Sequence, residues 1–276
     1  MKDLAIVILN YNTYEMTLDL VNSLNRICPK ESCSIIVVDN ASPNESAQKL
    51  QDNAIKTNLF TFIKSEKNGG YAAGNNVGLK YAVEQGFTYS LVLNNDIEID
   101  SYQQIQNMID LMSSNPQIGA VSPRIIGKDG KKDPPIYFKK PSFWDLSLGI
   151  KENNRQRYAF DENRLVQIYA PRGSCMLLKN EALKKIDFMD EYTFLYYEEP
   201  ILAERLSKMG FECWLCGTSC VVHNHAVTIS KSINKKKIIE TISRSYNYYL
   251  SKYRQFNMLQ TCVCVSIRKL AIMARR

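Results

Sequence analysis

The chain has 276 residues, 45% of them hydrophobic and 23% charged, with a formal net charge of +7. This composition excludes a disordered chain and suits one large globular domain, or one domain with a C-terminal appendage. No apolar run approaches the ~18 residues of a spanning helix, and the short run Leu4–Leu9 follows Asp3 and does not read as a secretory signal. A cytoplasmic location is expected, with the eight cysteines as reduced thiols.

The first part of the chain alternates in type. LAIVIL (4–9) is a continuous apolar run, followed by a helical pattern from Tyr14 to about Asn25. SIIVVDN (34–40) is a second run, and Ser42 or Asn44 is placed to cap the helix after it, with Glu45 in its first turn. NLFTFIKS (58–65) is a third strand, with a helix from about Ala72 to Gln85. SLVLNND (90–96) is the fourth strand, Ser101 to Ser113 reads as a helix, and Ala120 to Ile126 as a fifth strand. Strands apolar on both faces, alternating with helices, predict an α/β fold with a mostly parallel central sheet and helices on both faces.

Residues 127–165 lose the periodicity and read as a long loop or small insertion, the kind of segment that serves as a lid or acceptor-binding element. Order resumes with strand-like VQIYAP from Val166, then GSCMLL, then a helix start at Asn180. Helical spacing returns from Lys235 to about Tyr253.

In a parallel sheet, ligands sit beyond the carboxyl ends of the strands. The first strand ends in Asn10-Tyr11-Asn12, the second in Asp39-Asn40 and the fourth in Asn94-Asn95-Asp96. Asn and Asp commonly cap helices, but three strands delivering polar groups to one edge point to a ligand. A carboxylate at a strand tip can hold magnesium or manganese when substrate phosphates complete the shell. Asn68-Gly69-Gly70 permits a tight turn and close approach, and Gly70, Gly74 and Gly78 leave one helix face bare, for packing on the sheet or on a nucleotide. It is neither a P-loop nor a dinucleotide fingerprint.

Glu198 and Glu199 precede Pro200, which reads as the first position of a helix. There they either complement the helix dipole or act as a general base. Phe194, Tyr196 and Tyr197 before them suit the wall of a sugar cleft. His223 and His225, the chain's two histidines, follow an apolar strand and suit metal or phosphate. Cys213, Cys216 and Cys220 fit no standard zinc spacing and lie within two apolar stretches, 211–215 and 221–222, so they read as buried thiols.

Taken together, VILNYN (7–12), VVDNAS (37–42), KNGGYAAGNNVGL (67–79), LVLNND (91–96), RGSCMLL (172–178), FLYYEE (194–199) and VVHNHAVTIS (221–230) resemble the family 2 glycosyltransferases, with their GT-A nucleotide-sugar-binding fold. The likeness covers about residues 3–230 and is greatest to rhamnosyltransferase-like members that build bacterial surface polysaccharides. It implies an inverting hexosyl- or deoxyhexosyltransferase using Mn2+ or Mg2+ and a UDP- or dTDP-sugar, acting on a hydroxyl of a glycan or polyprenyl-linked acceptor. Asn10, Asn12 and Asp39 would contact the nucleoside, and Asn68, Gly69, Gly70 and Asn75 would line its pocket. Asn94, Asn95 and Asp96 stand at the family's Asp-x-Asp motif, with Asp96 on the metal. His223 or His225 would help hold metal or diphosphate. Glu199, or its neighbour Glu198, would be the base. Asn94 in place of the first Asp and Glu in place of the usual second acidic residue are departures from the family pattern.

The likeness stops before residues 231–276, where Lys231, Lys235, Lys236, Lys237, Arg244, Lys252, Arg254, Arg268, Lys269, Arg275 and Arg276 crowd together. This basic helical extension suits an anionic membrane surface, which would make the protein peripheral on the inner face of the cell membrane, or an ordinary docking helix. No signature for nucleic acid accompanies it. The competing functions are a nucleotide-sugar-binding protein without turnover, a nucleotidyltransferase, or a binding module built on the basic C-terminus.

Overall fold

The apolar runs become the parallel half of a nine-stranded sheet. The computed structural model describes residues 3–135, 137–148, 164–224 and 235–274. In chain order these form β1 (Leu4–Asn10), α1 (Tyr14–Ile27), β2 (Cys33–Asp39), α2 (Ser46–Thr57), β3 (Thr61–Lys64), α3 (Gly70–Glu84) and β4 (Tyr89–Asn94). Next come β5 (Ile97–Glu98), α4 (Tyr102–Ser114), β6 (Ile118–Gly127), α5 (Phe143–Leu148), β7 (Leu165–Ile168), β8 (Cys175–Lys179) and α6 (Asn180–Lys185). The described chain closes with α7 (Glu198–Lys208), β9 (Glu212–His223), α8 (Lys235–Tyr248), a π-helical turn (Tyr249–Tyr253) and α9 (Met258–Ala274).

The strand order is β3-β2-β1-β4-β8-β6-β9-β5, with β7 on β9. β3, β2, β1 and β4 run parallel. The sheet is mixed beyond that, because β8 lies antiparallel between β4 and β6. The fifth predicted strand, β6, is therefore one place removed from β4. β9 runs parallel to β6, so its C-terminus reaches the edge where β4 ends. Antiparallel β8 brings its N-terminus to that same edge.

Alternation along each strand builds the two faces. Leu4, Ile6 and Ile8 pack with Leu20, Leu24, Leu50 and Met108 from α1, α2 and α4. Ala5 and Val7 pack with Ala72, Leu79, Ala182 and Leu202 from α3, α6 and α7. Each fully buried aliphatic side chain contributes about 1.5–3 kcal/mol. The bare face of α3 serves the sheet: a Cβ on Gly74 would lie 2.6 Å from Leu9 Cδ1, and one on Gly78 2.5 Å from Val7 Cγ1. Gly78→Val is expected to cost about 1–3 kcal/mol through overpacking. Urea denaturation checks this, and an unchanged midpoint would contradict the close contact.

Several local expectations shift. α2 begins at Ser46, so neither Ser42 nor Asn44 is its cap. Asn44 Oδ1 instead accepts the Ser46 N–H at 3.1 Å. α7 begins at Glu198, which places Pro200 third in the helix rather than first. The two apolar stretches around the cysteines are one strand, β9, in which Cys213 and Cys216 are buried core residues. Residues 127–148 are partly structured: Ile126 bridges to Lys132, Tyr137 and Phe138 enter the core, and α5 follows.

The C-terminal helices pack onto the domain. Tyr246, Tyr249, Leu250, Tyr253 and Cys264 form a buried cluster with Leu146, Tyr197 and Ile201. Tyr246 OH donates to Leu146 O at 2.6 Å, and Tyr248 OH donates to Asp190 Oδ2 at 2.7 Å. The opposite side of α9 is apolar and faces outward, with Met258, Leu259 and Leu270 at 85%, 74% and 64% exposure.

Candidate active site

The strand tips are tied together before any ligand arrives. Asn10 Nδ2 donates to Asp39 Oδ1 at 2.8 Å, and Thr17 Oγ1 donates to Asn10 Oδ1 at 2.8 Å. Asn95 Nδ2 donates to Thr13 Oγ1 at 2.7 Å and to Thr17 Oγ1 at 3.0 Å. Ser42 closes the network, with its Oγ donating to Asp39 Oδ1 at 2.6 Å and its N–H to Asp39 Oδ2 at 2.9 Å. Asn10 and Asp39 are fully buried, and this network fixes their side chains at the strand tips. Asn12 is exposed, holds a left-handed φ of 65° and donates its N–H to Ser42 Oγ at 2.9 Å. Thr13 and Thr17, four apart at the start of α1, were not singled out by their residue type.

A second clamp holds the Asn68-Gly69-Gly70 turn. Asn40 Nδ2 donates to Asn68 Oδ1 at 3.0 Å and to Gly70 O at 3.1 Å, and Gly69 N–H donates to Asn40 Oδ1 at 3.3 Å. Gly70 has φ +86° and sits where any Cβ would strike the Phe194 backbone. The Tyr71 N–H then donates to Phe194 O at 2.9 Å, stapling the turn to the segment that carries the glutamates. Asn75 is buried inside α3, its Nδ2 donating to Tyr71 O at 3.0 Å.

Beyond β4 the chain turns at once into β5, which pairs antiparallel with the end of β9 in the register Ile97↔His223. That register sets His223 Nε2 3.2 Å from Asp96 Oδ1, with both side chains about 10% exposed. Asp96 Oδ1 is buried and accepts no aligned hydrogen bond. A buried carboxylate oxygen without a donor is costly unless something positive faces it. A carboxylate and an imidazole nitrogen this close fit two positions around a divalent cation. Among the described residues no cluster of three or more His, Cys, Asp or Glu is suited to a metal, so the remaining ligands would be phosphate oxygens and water. His225 lies outside the described residues.

A cavity of about 470 Å³ opens beside this pair, lined by Asn94, His223, Glu198, Glu199, Tyr196 and Tyr197 among others. Tyr196 and Tyr197 both have left-handed backbones, φ 72° and 71°, a strain of about 1–3 kcal/mol each. This turn starts α7 and aims both glutamates at the cavity. Glu198 is buried, and that burial, reinforced by the charge of Glu199, pushes its carboxyl up to about 8. Glu199 is half-buried and its Oε1 accepts the Gly173 N–H at 3.2 Å. A Cβ at Gly173 would lie 2.9 Å from Glu199 Oε1, so a larger residue there would displace the Glu199 carboxylate. Phe194 is exposed, and its carbonyl accepts the Tyr71 N–H.

Sequence reading did not single out Tyr71, Tyr137, Arg172, Ser174, Ile242 and Arg268 as cavity residues. Arg172, Gly173 and Ser174 arrive with antiparallel β8, and Asn94 N–H donates to Ser174 O at 2.9 Å. Arg172 is ion-paired with Asp133. Ile242 and Arg268 come from α8 and α9, so the basic C-terminal region supplies part of the cavity wall.

Comparison with known proteins places this arrangement. The low-salt glycan biosynthesis hexosyltransferase Agl10 of Haloferax volcanii is 29% identical over 230 residues, which cover 82% of this chain and 69% of that protein. GalNAc-T7, solved with UDP, GalNAc and Mn2+, superposes with a TM-score of 0.68 at 15% identity, covering 92% of this chain and 49% of that one. The chain thus spans about half the length of GalNAc-T7. The mannosyltransferase PcManGT from Pyrobaculum calidifontis, in complex with GDP-Man and Mn2+, superposes with a TM-score of 0.61 at 12% identity, over 98% of this chain and 75% of that one. The two structures share the GT-A fold with this chain. The family model for glycosyl transferase family 2 matches residues 5–187, more than half of the chain, and the chain belongs to that family.

Proposed function

We propose that this glycosyltransferase moves a hexosyl or deoxyhexosyl group, with inversion, from a nucleoside-diphosphate sugar to a hydroxyl of a glycan acceptor. The observation that carries this reading is the meeting, in one cavity, of the glutamate pair of α7 with the histidine that faces Asp96. Asp96 and His223 would hold Mn2+ or Mg2+, with the donor diphosphate as co-ligand. The ion would neutralise charge on the departing diphosphate. Asn94 and the Asn68–Gly70 turn are placed to position the donor, held by the two networks described above.

Glu199 is the better-placed base. Its carboxylate is oriented by the Gly173 N–H and reaches the cavity. It takes the proton of the acceptor hydroxyl as that oxygen bonds to the anomeric carbon, and the bond to the diphosphate breaks on the opposite side of the sugar. Glu198, held protonated by burial, supports it as a neutral neighbour. UDP and dTDP are the expected nucleotides, and a rhamnosyl donor is one member of the class to test.

A lipid-linked acceptor in cell-surface polysaccharide synthesis, met at the membrane, is supported by the outward apolar stripe of α9 and by Trp144 of the adjoining α5, which is 67% exposed. Among the described residues no helix is long and apolar enough to cross a membrane. Replacing Leu259, Val263 and Leu270 together by glutamate is expected to remove binding to anionic vesicles in flotation while leaving the melting temperature unchanged. Equal flotation would exclude this surface. The donor is tested by thermal shift with UDP, dTDP, GDP and CDP, each with and without Mn2+. A metal-dependent shift with one nucleotide is expected, and the absence of any shift counts against the transferase reading.

A further inference from the structure

Arg268 stands apart from the other arginines of the interior. Arg172 is neutralised by Asp133, Arg205 donates to Ile186 O, and Arg254 reaches Glu204 at 3.5 Å and Pro141 O at 2.6 Å. Arg268 lines the cavity, and its Nε is buried without a hydrogen-bond partner among the described residues. Its guanidinium lies 4.8 Å from the Tyr246 ring centroid and 5.4 Å from that of Tyr197. Cation–π contact offsets part of the cost of drawing a charge out of water, but leaves the N–H fork unfilled. A guanidinium set beside two rings, with its buried Nε–H unpaired, is suited to an oxyanion.

Its position says whose oxyanion. Tyr197 immediately precedes Glu198 and Glu199, and its ring stacks on Tyr246 at 5.1 Å, so Arg268 is fixed to the wall that bears the glutamates. The Asp96–His223 pair comes from β4 and β9 instead. We infer that Arg268 is a specificity-determining residue that binds an acid group, phosphate or carboxylate, on the acceptor. This rests on the reading of the glutamate wall as the acceptor side. The α9 face opposite Arg268 is the apolar stripe, so one helix would meet both the surface that carries a lipid acceptor and the acid group nearest its sugar.

The test uses the full chain saturated with UDP and Mn2+, so that donor phosphate sites are filled. Phenyl phosphate, farnesyl phosphate and benzoate are titrated calorimetrically into wild type, Arg268→Gln and Arg268→Lys. The expected result is saturable binding of phenyl phosphate that weakens at least about tenfold in Arg268→Gln, as for loss of a charge-assisted contact. Arg268→Lys should recover part of it, and UDP affinity should be equal in all three. Tighter farnesyl phosphate would assign the acid group to a lipid carrier, equal binding to a phosphate on the glycan, and tighter benzoate to a carboxylate. Equal phenyl phosphate affinity in wild type and Arg268→Gln, or no saturable binding in wild type, overturns the proposal. Loss of UDP affinity in Arg268→Gln also overturns it by moving Arg268 to the donor. If wild type fails to bind UDP, the donor reading falls, and the same titration without UDP still decides Arg268. If the glutamine form does not fold, Arg268→Lys decides instead: phenyl phosphate affinity below wild type supports the proposal, and affinity equal to wild type overturns it.

Discussion

Asp96→Ala is expected to abolish sugar transfer while leaving the protein folded. Asp96 carries no aligned hydrogen bond at its buried Oδ1, which lies 3.2 Å from His223 Nε2. On the proposed reading, removing it would take away a ligand for the cation, whose charge stabilisation is worth several kcal/mol. At about 1.4 kcal/mol per decade, the loss is on the order of 10²–10⁴-fold in rate. The melting temperature should hold or rise, because an unfavourably buried carboxylate disappears. Two readouts check the assignment together: initial rates with the donor found by thermal shift, and the Mn2+-dependence of nucleotide binding. A variant that keeps wild-type rate and metal dependence would refute a role for Asp96.

The second large effect separates the two glutamates. Glu199→Gln keeps the shape but would remove the proposed proton acceptor, and should lower the transfer rate by about 10²–10⁴-fold. Glu198→Gln should cost far less at neutral pH, since glutamine mimics the protonated carboxyl that burial enforces there. The same shift has a stability consequence. Glu198 titrates at about 8 when folded and near about 4.3 when unfolded. Between those values the native state holds a proton that the unfolded state has released. Its contribution is fully present below the lower value, declines as pH rises and is gone above about 8. Glu198→Gln should flatten that decline, which urea denaturation at acid, neutral and alkaline pH would register. A reversed ranking of the two variants in rate would exchange their roles.

Much of the parallel half of the sheet was legible because parallel strands are buried on both faces. LAIVIL, SIIVVDN and SLVLNND read as strands, and their polar ends mark one edge whatever the strand order. What hydrophobicity does not encode is direction. GSCMLL is equally apolar either way, so the reversal of β8, and with it the arrival of Arg172, Gly173 and Ser174, left no trace in periodicity. Residue type also does not reveal partners: that Asn10 and Asp39 are buried and hydrogen-bonded to each other emerges only from the register of β1 and β2. At the C-terminus, a basic amphipathic pattern does not say which face meets protein. Cys264 and Arg268 turn inward, while Leu259 and Leu270 turn out.

The pairing of β5 with β9 bears on how the molecule is made. Glu98 and Asn224, joined across that ladder by a 2.6 Å hydrogen bond, are 126 residues apart in sequence. The β1–β4 units close through short loops and can form early, whereas this pairing must wait for the long intervening chain and its closure entropy. During synthesis the nucleotide half would exist as a folded platform before the histidine that faces Asp96 leaves the ribosome. The surface at the ends of β1–β4 would therefore be shaped before the residues of β9, α8 and α9 that complete the cavity wall have been made.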